Sequence, residues 1–199
     1  MKITIKQAEK LIKLARDAIS AVFKGKEEFD IPEEYKKEFK EERGVFVSLY
    51  VDEDLIGCIG FPEPDRPLAD AVIDAAKGAA FEDPRFPPLK KEQMKDLRIE
   101  LSILTEPKEI EVEKASDYPK KVKIGKDGLM IRDKFGAGLL LPQVAVEWGW
   151  KPKEFLDNAC KKAGLSPDCW NNMRRNVYKF TAQVFSEEKG RIVEKKLKA

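Results

Sequence analysis

The chain has 199 residues, enough for one domain or one domain with two lobes, and folding at this size buries roughly 70 % of the unfolded surface. Charged residues make up 37 % of the sequence, which indicates a heat-adapted protein rich in ion pairs. The net charge is only +2, so the composition does not indicate a basic surface that would bind nucleic acid. Histidine is absent, which excludes Ser-His-Asp and Cys-His catalysis and imidazole metal sites.

The first predicted elements are a helix and a hairpin. Residues 4–7 have the form of a capping box, and apolar residues then recur at helical spacing until Gly25. The charge-rich segment 31–43 indicates a short solvated helix or an ordered loop. A β-branched and aromatic run at 45–51 is followed by a turn and the glycine-cysteine run 55–61, which predicts an antiparallel hairpin.

The run 55–61 presents bare backbone and a thiol together. If it is extended, its side chains alternate, so Ile56, Cys58 and Gly60 would share one face of the strand. Glycine inside a strand marks a bulge, or the close approach of another backbone or of a ligand. Cys58 is therefore a candidate thiol nucleophile, while the alternative is that it is a small buried hydrophobic residue.

A helix is predicted over 68–81, after a proline-rich loop, and three prolines within 82–88 prevent its continuation. Asp83 and Arg85, within residues 82–88, have two interpretations. Either their interaction holds a rigid turn, or Arg85 supplies a cation to a nearby cleft. The segment 97–104 alternates cleanly and predicts a strand. The polar side chains assigned to its wetter face are Arg98, Glu100 and Ser102.

Short apolar runs and glycine turns between residues 122 and 141 predict a β-meander with a second turn near Phe135. The chain then leaves the sheet at Pro142, a helix is expected over 153–163, and a last strand over 177–185. Residues 189–199 are locally basic and are interpreted as a solvated tail rather than as a phosphate contact.

The remaining cysteines are Cys160 and Cys169. No Cys-x-x-Cys spacing and no acidic loop of the EF-hand type occurs in the sequence, so we expect no metal site. Cytosolic cysteines are normally reduced, but proteins of hyperthermophiles are an exception. Cys160 and Cys169 would therefore be paired if the fold brings them together.

The predicted fold class is α+β, with antiparallel sheets and flanking helices in two lobes of a single domain over residues 1–199. Hairpins outnumber β-helix-β crossovers, which argues against a doubly wound sheet. No apolar run approaches the about 18 residues of a membrane span, and the sequence starts with an amphipathic pattern rather than a signal peptide. We therefore expect a cytoplasmic protein without membrane contact.

Three motifs together resemble those of a known family. Residues 55–60 resemble the Leu-Arg-Gly-Cys-Ile-Gly signature of the AMME chromosomal region protein family. Residues 83–88 resemble its Asp-x-Arg-Phe-Pro-Pro block, and residues 141–150 its Leu-Pro-x-Val-Ala-x-Glu-x-Gly-Trp block. The order and spacing match across nearly the whole chain, which implies an archaeal-like, two-lobed α+β domain with the signature near the cleft between the lobes.

The resemblance implies partners but no reaction. Some prokaryotic members are encoded with, or fused to, Memo-type and radical-SAM proteins, which implies a role in a modification pathway. No cofactor is assigned, and the oligomeric state stays open. Under this hypothesis Cys58 is the catalytic residue, and the ligand-binding residues at the cleft are Gly57, Gly60, Asp83, Arg85 and Glu147.

The sequence departs from the family signature at Ile56, where the family has arginine. An arginine at that position would favour the thiolate form of Cys58, and isoleucine cannot. A nucleophilic Cys58 would instead depend on Arg85, on a helix N-terminus, or on backbone N–H groups beside Gly57 and Gly60.

Two hypotheses of different class follow. In the first, the chain is an enzyme or a modification-pathway component that binds a small ligand or a modified peptide at Cys58. In the second, the chain is a non-enzymatic binding or scaffold module, and the same motifs serve only the architecture.

Overall fold

A computed structural model describes residues 2–26, 29–133, 136–172 and 176–196. Its helices and strands are α1 (Ile5–Phe23), α2 (Glu33–Glu38), β1 (Val45–Val51), β2 (Asp54–Phe61), α3 (Leu68–Phe81), β3 (Arg98–Leu104), β4 (Lys108–Glu109), α4 (Tyr118–Lys121), β5 (Asp127–Asp133), β6 (Gly136–Leu140), α5 (Pro142–Glu147), α6 (Pro152–Lys162), β7 (Asn176–Glu188) and β8 (Arg191–Lys195). Separate hairpins and helices make this an α+β fold, as predicted.

The chain divides into two compact units. Unit 1 comprises Met1–Leu104 and Gln183–Lys195, and unit 2 comprises Thr105–Ala182 and Lys196–Ala199. The long strand β7 contributes its first residues to unit 2 and its last residues to unit 1. Each unit has its own cluster of buried apolar side chains.

Helix α1 begins at the predicted capping box. The Thr4 hydroxyl accepts from the Gln7 backbone N–H at 3.3 Å, and the Gln7 side chain accepts from the Thr4 N–H at 3.0 Å. Both contacts satisfy N–H groups that the first helical turn leaves without partners. The helix is followed by Gly25 at a φ of 71°, in the left-handed region that favours glycine.

The sheet of unit 1 has β2 at its outer edge, followed by β1 and β3, all antiparallel. Asp52 and Glu53 connect β1 to β2 with φ values of 50° and 68°, which is the backbone twist of a tight hairpin turn. Helices α1 and α3 supply apolar side chains to the core of this unit. Helix α3 covers Leu68–Phe81, and its predicted bounds are confirmed.

The prediction that one face of β3 is wet is wrong. Glu100 is only 4 % exposed and Ser102 only 1 %. Strand β3 lies between β1 and β7 in the order of strands, and Lys195 of β8 forms an ion pair with Glu100. The ion pair allows the carboxylate to be buried on a face that alternation alone assigns to solvent.

The basic segment 189–199 is not a solvated tail over its described part. Arg191–Lys195 form β8, which pairs antiparallel with β7. Lys189 and Gly190 have φ values of 49° and 75°, so they form a tight hairpin turn of the kind that usually shows an Asn-Gly or Asp-Gly signal. Residues 197–199 lie outside the described part of the chain.

Unit 2 has its own antiparallel strands, in which β7 pairs with β4 and with β5, and β5 pairs with β6. Helix α6 contributes Phe155, Leu156 and Ala159 to the buried core. The predicted meander is half right, because the β5–β6 hairpin forms but residues 122–124 are not a strand. The predicted turn at Phe135 falls outside the described residues.

Candidate functional site

Cys58 lies in the middle of β2, the outermost strand of the unit 1 sheet. Leu49 of β1 pairs with Gly57, whereas the next residue, Tyr50, pairs with Leu55. Ile56 is therefore the extra residue of a β-bulge. The predicted strict alternation is broken at this point, and Ile56 packs against the hydrophobic core of unit 1.

The Cys58 thiol is half-buried and has a polar partner. Ser48 lies directly opposite on β1, and its hydroxyl donates to the Cys58 Sγ at 3.2 Å. A cysteine that served only as a small hydrophobic residue would have neither this exposure nor this partner. Cys58 is therefore partly buried and hydrogen-bonded rather than enclosed in the core.

Asp83 and Arg85, from the segment after α3, bind the backbone of Cys58 on both sides of its side chain. The Asp83 Oδ2 accepts from the Cys58 N–H at 2.8 Å, and the Arg85 Nη2 donates to the Cys58 carbonyl at 2.8 Å. These backbone groups point outward from the edge of the sheet, where the next strand would otherwise bind them. The pair thus covers the edge and fixes the thiol-bearing residue.

The two side chains also bind each other. Arg85 donates from Nε to Asp83 Oδ1 at 2.9 Å and from Nη2 to Asp83 Oδ2 at 2.7 Å, and the Arg85 backbone N–H adds a further bond of 3.1 Å. Asp83 is 2 % exposed at its side chain and Arg85 is 51 % exposed. The rigid turn predicted from sequence is therefore present, and it holds a half-exposed cation beside Cys58.

The contact with Arg85 lowers the pKa of Asp83 to about 2. Burial opposes this shift, and the backbone N–H groups of Cys58 and Arg85 add to it. The same contact raises the pKa of Arg85 above its ordinary value, and a negative charge on the Cys58 sulfur acts in the same direction. The guanidinium thus lies beside Cys58, whose carbonyl it binds at 2.8 Å.

Gly57 and Gly60 allow close packing, and their assignment as ligand-binding residues stays a prediction. A Cβ on Gly57 would lie 1.9 Å from the Ala79 carbonyl oxygen of α3, and a Cβ on Gly60 would lie 2.4 Å from the Phe46 ring. The space beside each glycine is therefore already filled. Two of the features that the glycines indicated are therefore observed: a bulge beside Gly57, and the close approach of another backbone at Gly57.

A row of polar side chains crosses the unit 1 sheet from Cys58. Ser48 pairs with Cys58 on one side and with Glu100 on the other, so the three side chains share a face. Ser48 is 6 % exposed and Glu100 is 4 % exposed. Lys195 reaches from β8 to Glu100, with 2.6 Å between its Nζ and the Glu100 Oε2. This polar row consists of Cys58, Ser48, Glu100 and Lys195.

Sequence reasoning missed Ser48, Glu100 and Lys195 as site residues. The available signal was the polar Ser48 inside an otherwise apolar and aromatic strand, and the acidic Glu100 in the alternating segment 97–104. Their meeting depends on the register of separate strands, which the sequence does not state.

Glu147 lies at the end of α5 in unit 2 and is exposed. Two tryptophans of the same motif form an aromatic feature, because Trp148 is 70 % exposed and stacks on Trp150 with 5.9 Å between ring centroids. The convergence of Glu147 with Cys58 stays a prediction.

Cys160 and Cys169 form a disulfide within unit 2, with 5.8 Å between their Cα atoms. The bond joins α6 to the short helical turn Cys169–Asn171. Cys58 is thus the single cysteine of the chain that retains its thiol. Thiol reagents therefore report on Cys58 alone while the disulfide is intact.

Among the described residues, no group of three or more Cys, Asp and Glu side chains is arranged to hold a metal ion. In the same part of the chain, every helix is too short or too polar to cross a membrane.

Comparison with known proteins gives a consistent result at the level of the family and the fold. The AMMECR1 family model matches residues 12–185. A protein of Methanothermobacter thermautotrophicus is 49 % identical over 178 residues, covering 89 % of this chain and 93 % of the relative. Protein MJ0810 of Methanocaldococcus jannaschii is 45 % identical over 199 residues, covering 98 % of each chain.

A solved structure is similar over nearly the whole chain. The crystal structure of the uncharacterized protein PH0010 from Pyrococcus horikoshii has 47 % sequence identity and a TM-score of 0.93, covering 99 % of this chain and all of that chain. These relatives come from heat-loving archaea, in agreement with the charge-rich composition.

Proposed function

The chain belongs to the AMMECR1 family, and from this membership and the geometry at Cys58 we infer that it is a component of a modification pathway. In this proposal the Cys58 thiol receives a small ligand or a modified peptide. The observation that carries the proposal is the Asp83–Arg85 pair, which fixes both backbone groups of Cys58, a residue that is only partly buried.

Arg85 is the residue that would orient the ligand. Its Nε and Nη2 are engaged with Asp83 and the Cys58 carbonyl, whereas Nη1 donates to no residue in the described ranges. A carbonyl or carboxylate oxygen of the ligand would accept from Nη1. Asp83 neutralises the charge of the guanidinium. The contact with Nη1 therefore favours ligands that have a hydrogen-bond acceptor close to the sulfur, and a net negative charge on the ligand matters less.

The reaction supported by this arrangement is a nucleophilic substitution at an electrophilic carbon of the ligand. The Cys58 sulfur donates an electron pair and forms an S–C bond, and the bond from that carbon to the leaving group breaks. The leaving group departs with the bonding electrons, and the thiol proton is released in the same overall step. The Arg85 N–H groups stabilise negative charge that develops on the ligand oxygen.

The test is alkylation of the native protein under non-reducing conditions, followed by intact mass. Iodoacetamide should add one group, at a rate within about tenfold of that of the urea-unfolded chain, because an accessible thiol keeps its reactivity. Cys58→Ser should add none. A native thiol that reacts a hundredfold more slowly than the unfolded one would overturn the proposal.

Arg85 is tested by comparing a charged and a neutral reagent. In Arg85→Gln the ratio of the iodoacetate rate to the iodoacetamide rate should fall several-fold, since the Asp83 carboxylate is left without its counter-charge and repels the anionic reagent. Arg66→Gln is the matched control, because Arg66 is also paired with aspartates in unit 1 but contacts Asp65 and Asp74. An equal fall in both variants would contradict a local role of Arg85.

For partners, we propose a Memo-type or a radical-SAM protein, on the basis of the family association. Size-exclusion chromatography of purified mixtures would detect such a complex. Co-elution with neither protein would remove this part of the proposal and leave the thiol chemistry untouched.

A second candidate function is a binding module without catalysis. The exposed stack of Trp148 on Trp150 supports it, because exposed aromatic residues are enriched at protein interfaces. In that case Trp148→Ala should weaken binding of the partner, whereas Cys58→Ser should leave it unchanged. The opposite result would favour the thiol function.

A further inference from the structure

We propose that Glu100 is the proton acceptor for the Cys58 thiol and that Ser48 relays the proton between them, with Lys195 as a positioning residue. This inference rests on the proposed function of Cys58. It concerns how the thiol is activated in a chain that has no histidine and has isoleucine at the arginine position of the family signature.

The register of three strands places the groups in order. Cys58, Ser48 and Glu100 are consecutive cross-strand partners on β2, β1 and β3, and directly opposed Cβ atoms in such pairs lie about 4.5–5.5 Å apart. The Ser48 hydroxyl already contacts the Cys58 Sγ at 3.2 Å. A glutamate at the opposite position has the reach to bring a carboxylate oxygen to the same hydroxyl.

Lys195 fixes one end of the row. Its Nζ donates to the Glu100 Oε2 at 2.6 Å, which leaves the Oε1 atom as the acceptor of the Ser48 proton in the proposed relay. Glu100 is nearly fully buried, and such a carboxylate needs a charged partner to be kept in the sheet. The lysine thus holds the carboxylate in place without touching the sulfur.

The proton transfer balances within the row. In the relay the Ser48 hydroxyl turns toward Glu100 from the Cys58 sulfur, to which it donates in the resting structure. The Cys58 S–H proton then passes to the Ser48 oxygen while the Ser48 hydroxyl proton passes to Glu100. The products are a thiolate, an unchanged hydroxyl and a neutral carboxylic acid. One negative charge moves from Glu100 to the sulfur, and no proton is exchanged with solvent.

Other charged and titratable groups surround the row and are part of its pH response. Asp83 and Arg85 lie at the edge of β2. On the side of β1 and β3, Arg98 lies over the Tyr50 ring at 4.3 Å and is paired with Glu53. These groups shift the energy of the thiolate in every variant alike, so the variants below isolate the row itself.

The relay has a consequence that simple ionisation does not share. A thiol that loses its proton to water has about tenfold less thiolate for each pH unit below its pKa. When the thiol attacks while its proton passes through Ser48 to Glu100 in the same step, no proton is exchanged with solvent, so the rate of this route does not depend on pH as long as Glu100 is ionised and Cys58 is protonated. The alkylation rate of the wild-type protein should therefore level off at low pH instead of falling continuously.

The experiment measures iodoacetamide alkylation between pH 5 and 9, with the disulfide intact. Iodoacetamide is neutral, so a change of charge in a variant does not alter its approach to the sulfur. We expect Glu100→Gln and Ser48→Ala to lose the plateau, with a rate at pH 5.5 about tenfold or more below that of the wild type. Ser48→Thr, which keeps a hydroxyl, should restore the plateau.

Glu194→Gln is the matched control. Glu194 is next to Lys195 and is paired with Lys2 and Gln183, so its loss removes a nearby carboxylate without interrupting the row. Its rate profile should equal that of the wild type. Lys195→Met should keep the plateau at a lower level, because the carboxylate remains but is no longer fixed.

Three results would overturn the inference. If Glu100→Gln reacts faster at all pH values, the carboxylate merely repels the thiolate. If Ser48→Ala keeps the plateau, no relay exists, and this charge-neutral variant decides the question should Glu100→Gln fail to fold. If the wild-type thiol reacts but has no plateau, the inference fails while the proposed function stands, whereas an inert wild-type thiol removes both.

Discussion

Replacement of Asp83 by asparagine tests the clamp that fixes Cys58. Asp83 accepts hydrogen bonds from the Cys58 N–H, the Arg85 N–H and two positions of the guanidinium. Asparagine keeps one acceptor oxygen but places an NH₂ group against donors that the second oxygen had bound. The charge that holds Arg85 is also lost.

The magnitude follows from the pKa of Asp83, which lies near 2 instead of 3.8. A shift of this size corresponds to about 2.4 kcal/mol of preference for the ionised form in the folded state. Arg85 is half-exposed, so water replaces part of its interaction once Asp83 is neutral. We therefore expect Asp83→Asn to lower the free energy of unfolding by about 2 kcal/mol at pH 7.

The same pKa fixes the sign of the pH dependence. The folded pKa lies below the unfolded one, so the contribution of Asp83 is complete above about pH 4 and is lost as the pH falls toward 2. The difference in unfolding free energy between wild type and Asp83→Asn should accordingly shrink over this interval.

The assay is urea unfolding at pH 7 and at pH 2.5. It should be followed by far-ultraviolet circular dichroism, because all three tryptophans belong to unit 2 and Asp83 belongs to unit 1. Asp74→Asn is the control, since Asp74 forms an exposed pair with Arg66, and it should cost less than about 0.5 kcal/mol. A variant as stable as wild type at pH 7, or a gap that is unchanged at pH 2.5, would refute the reasoning.

Other predictions concern stability. Gly57→Ala should cost about 3 kcal/mol, because its Cβ would lie 1.9 Å from the Ala79 carbonyl oxygen; an unchanged thermal midpoint contradicts this. Gly190→Ala should cost about 1 kcal/mol in urea unfolding, since its φ is 75°, and no loss would contradict the turn assignment. Replacing Cys160 and Cys169 by serine should cost about 2 to 3 kcal/mol by the loop-closure estimate for a separation of 9 residues, and equal urea midpoints for both proteins would contradict it.

Local signals in the sequence were sufficient for several elements. The capping box at Thr4 and the prolines around α3 fix backbone donors and allowed angles within a few residues. The same reasoning predicted that a helix ends before Gly164. In the structure this glycine has a φ of 74°, as expected for a residue that follows a helix. Such features depend only on chain neighbours, which the sequence shows directly.

The polar row could not be predicted because it depends on register. A single bulge at Ile56 decides which residues of β2 face Ser48, and the sequence does not reveal bulges. The clamp was half predicted: the Asp83–Arg85 interaction follows from proximity along the chain. Its contact with Cys58 joins positions 25 and 27 residues apart and requires the packed helix α3 between them.

The division of the chain has a consequence for the order of folding during synthesis. Unit 1 needs residues 183–195, which are made only after the whole stretch 105–182 of unit 2. Its sheet therefore closes through contacts of long sequence separation, such as that of Lys195 with Glu100, 95 residues apart, and such contacts form late because of their loop-closure cost. A nascent chain would thus present Cys58 before Lys195 exists, so the thiol gains its complete surroundings only in the finished protein.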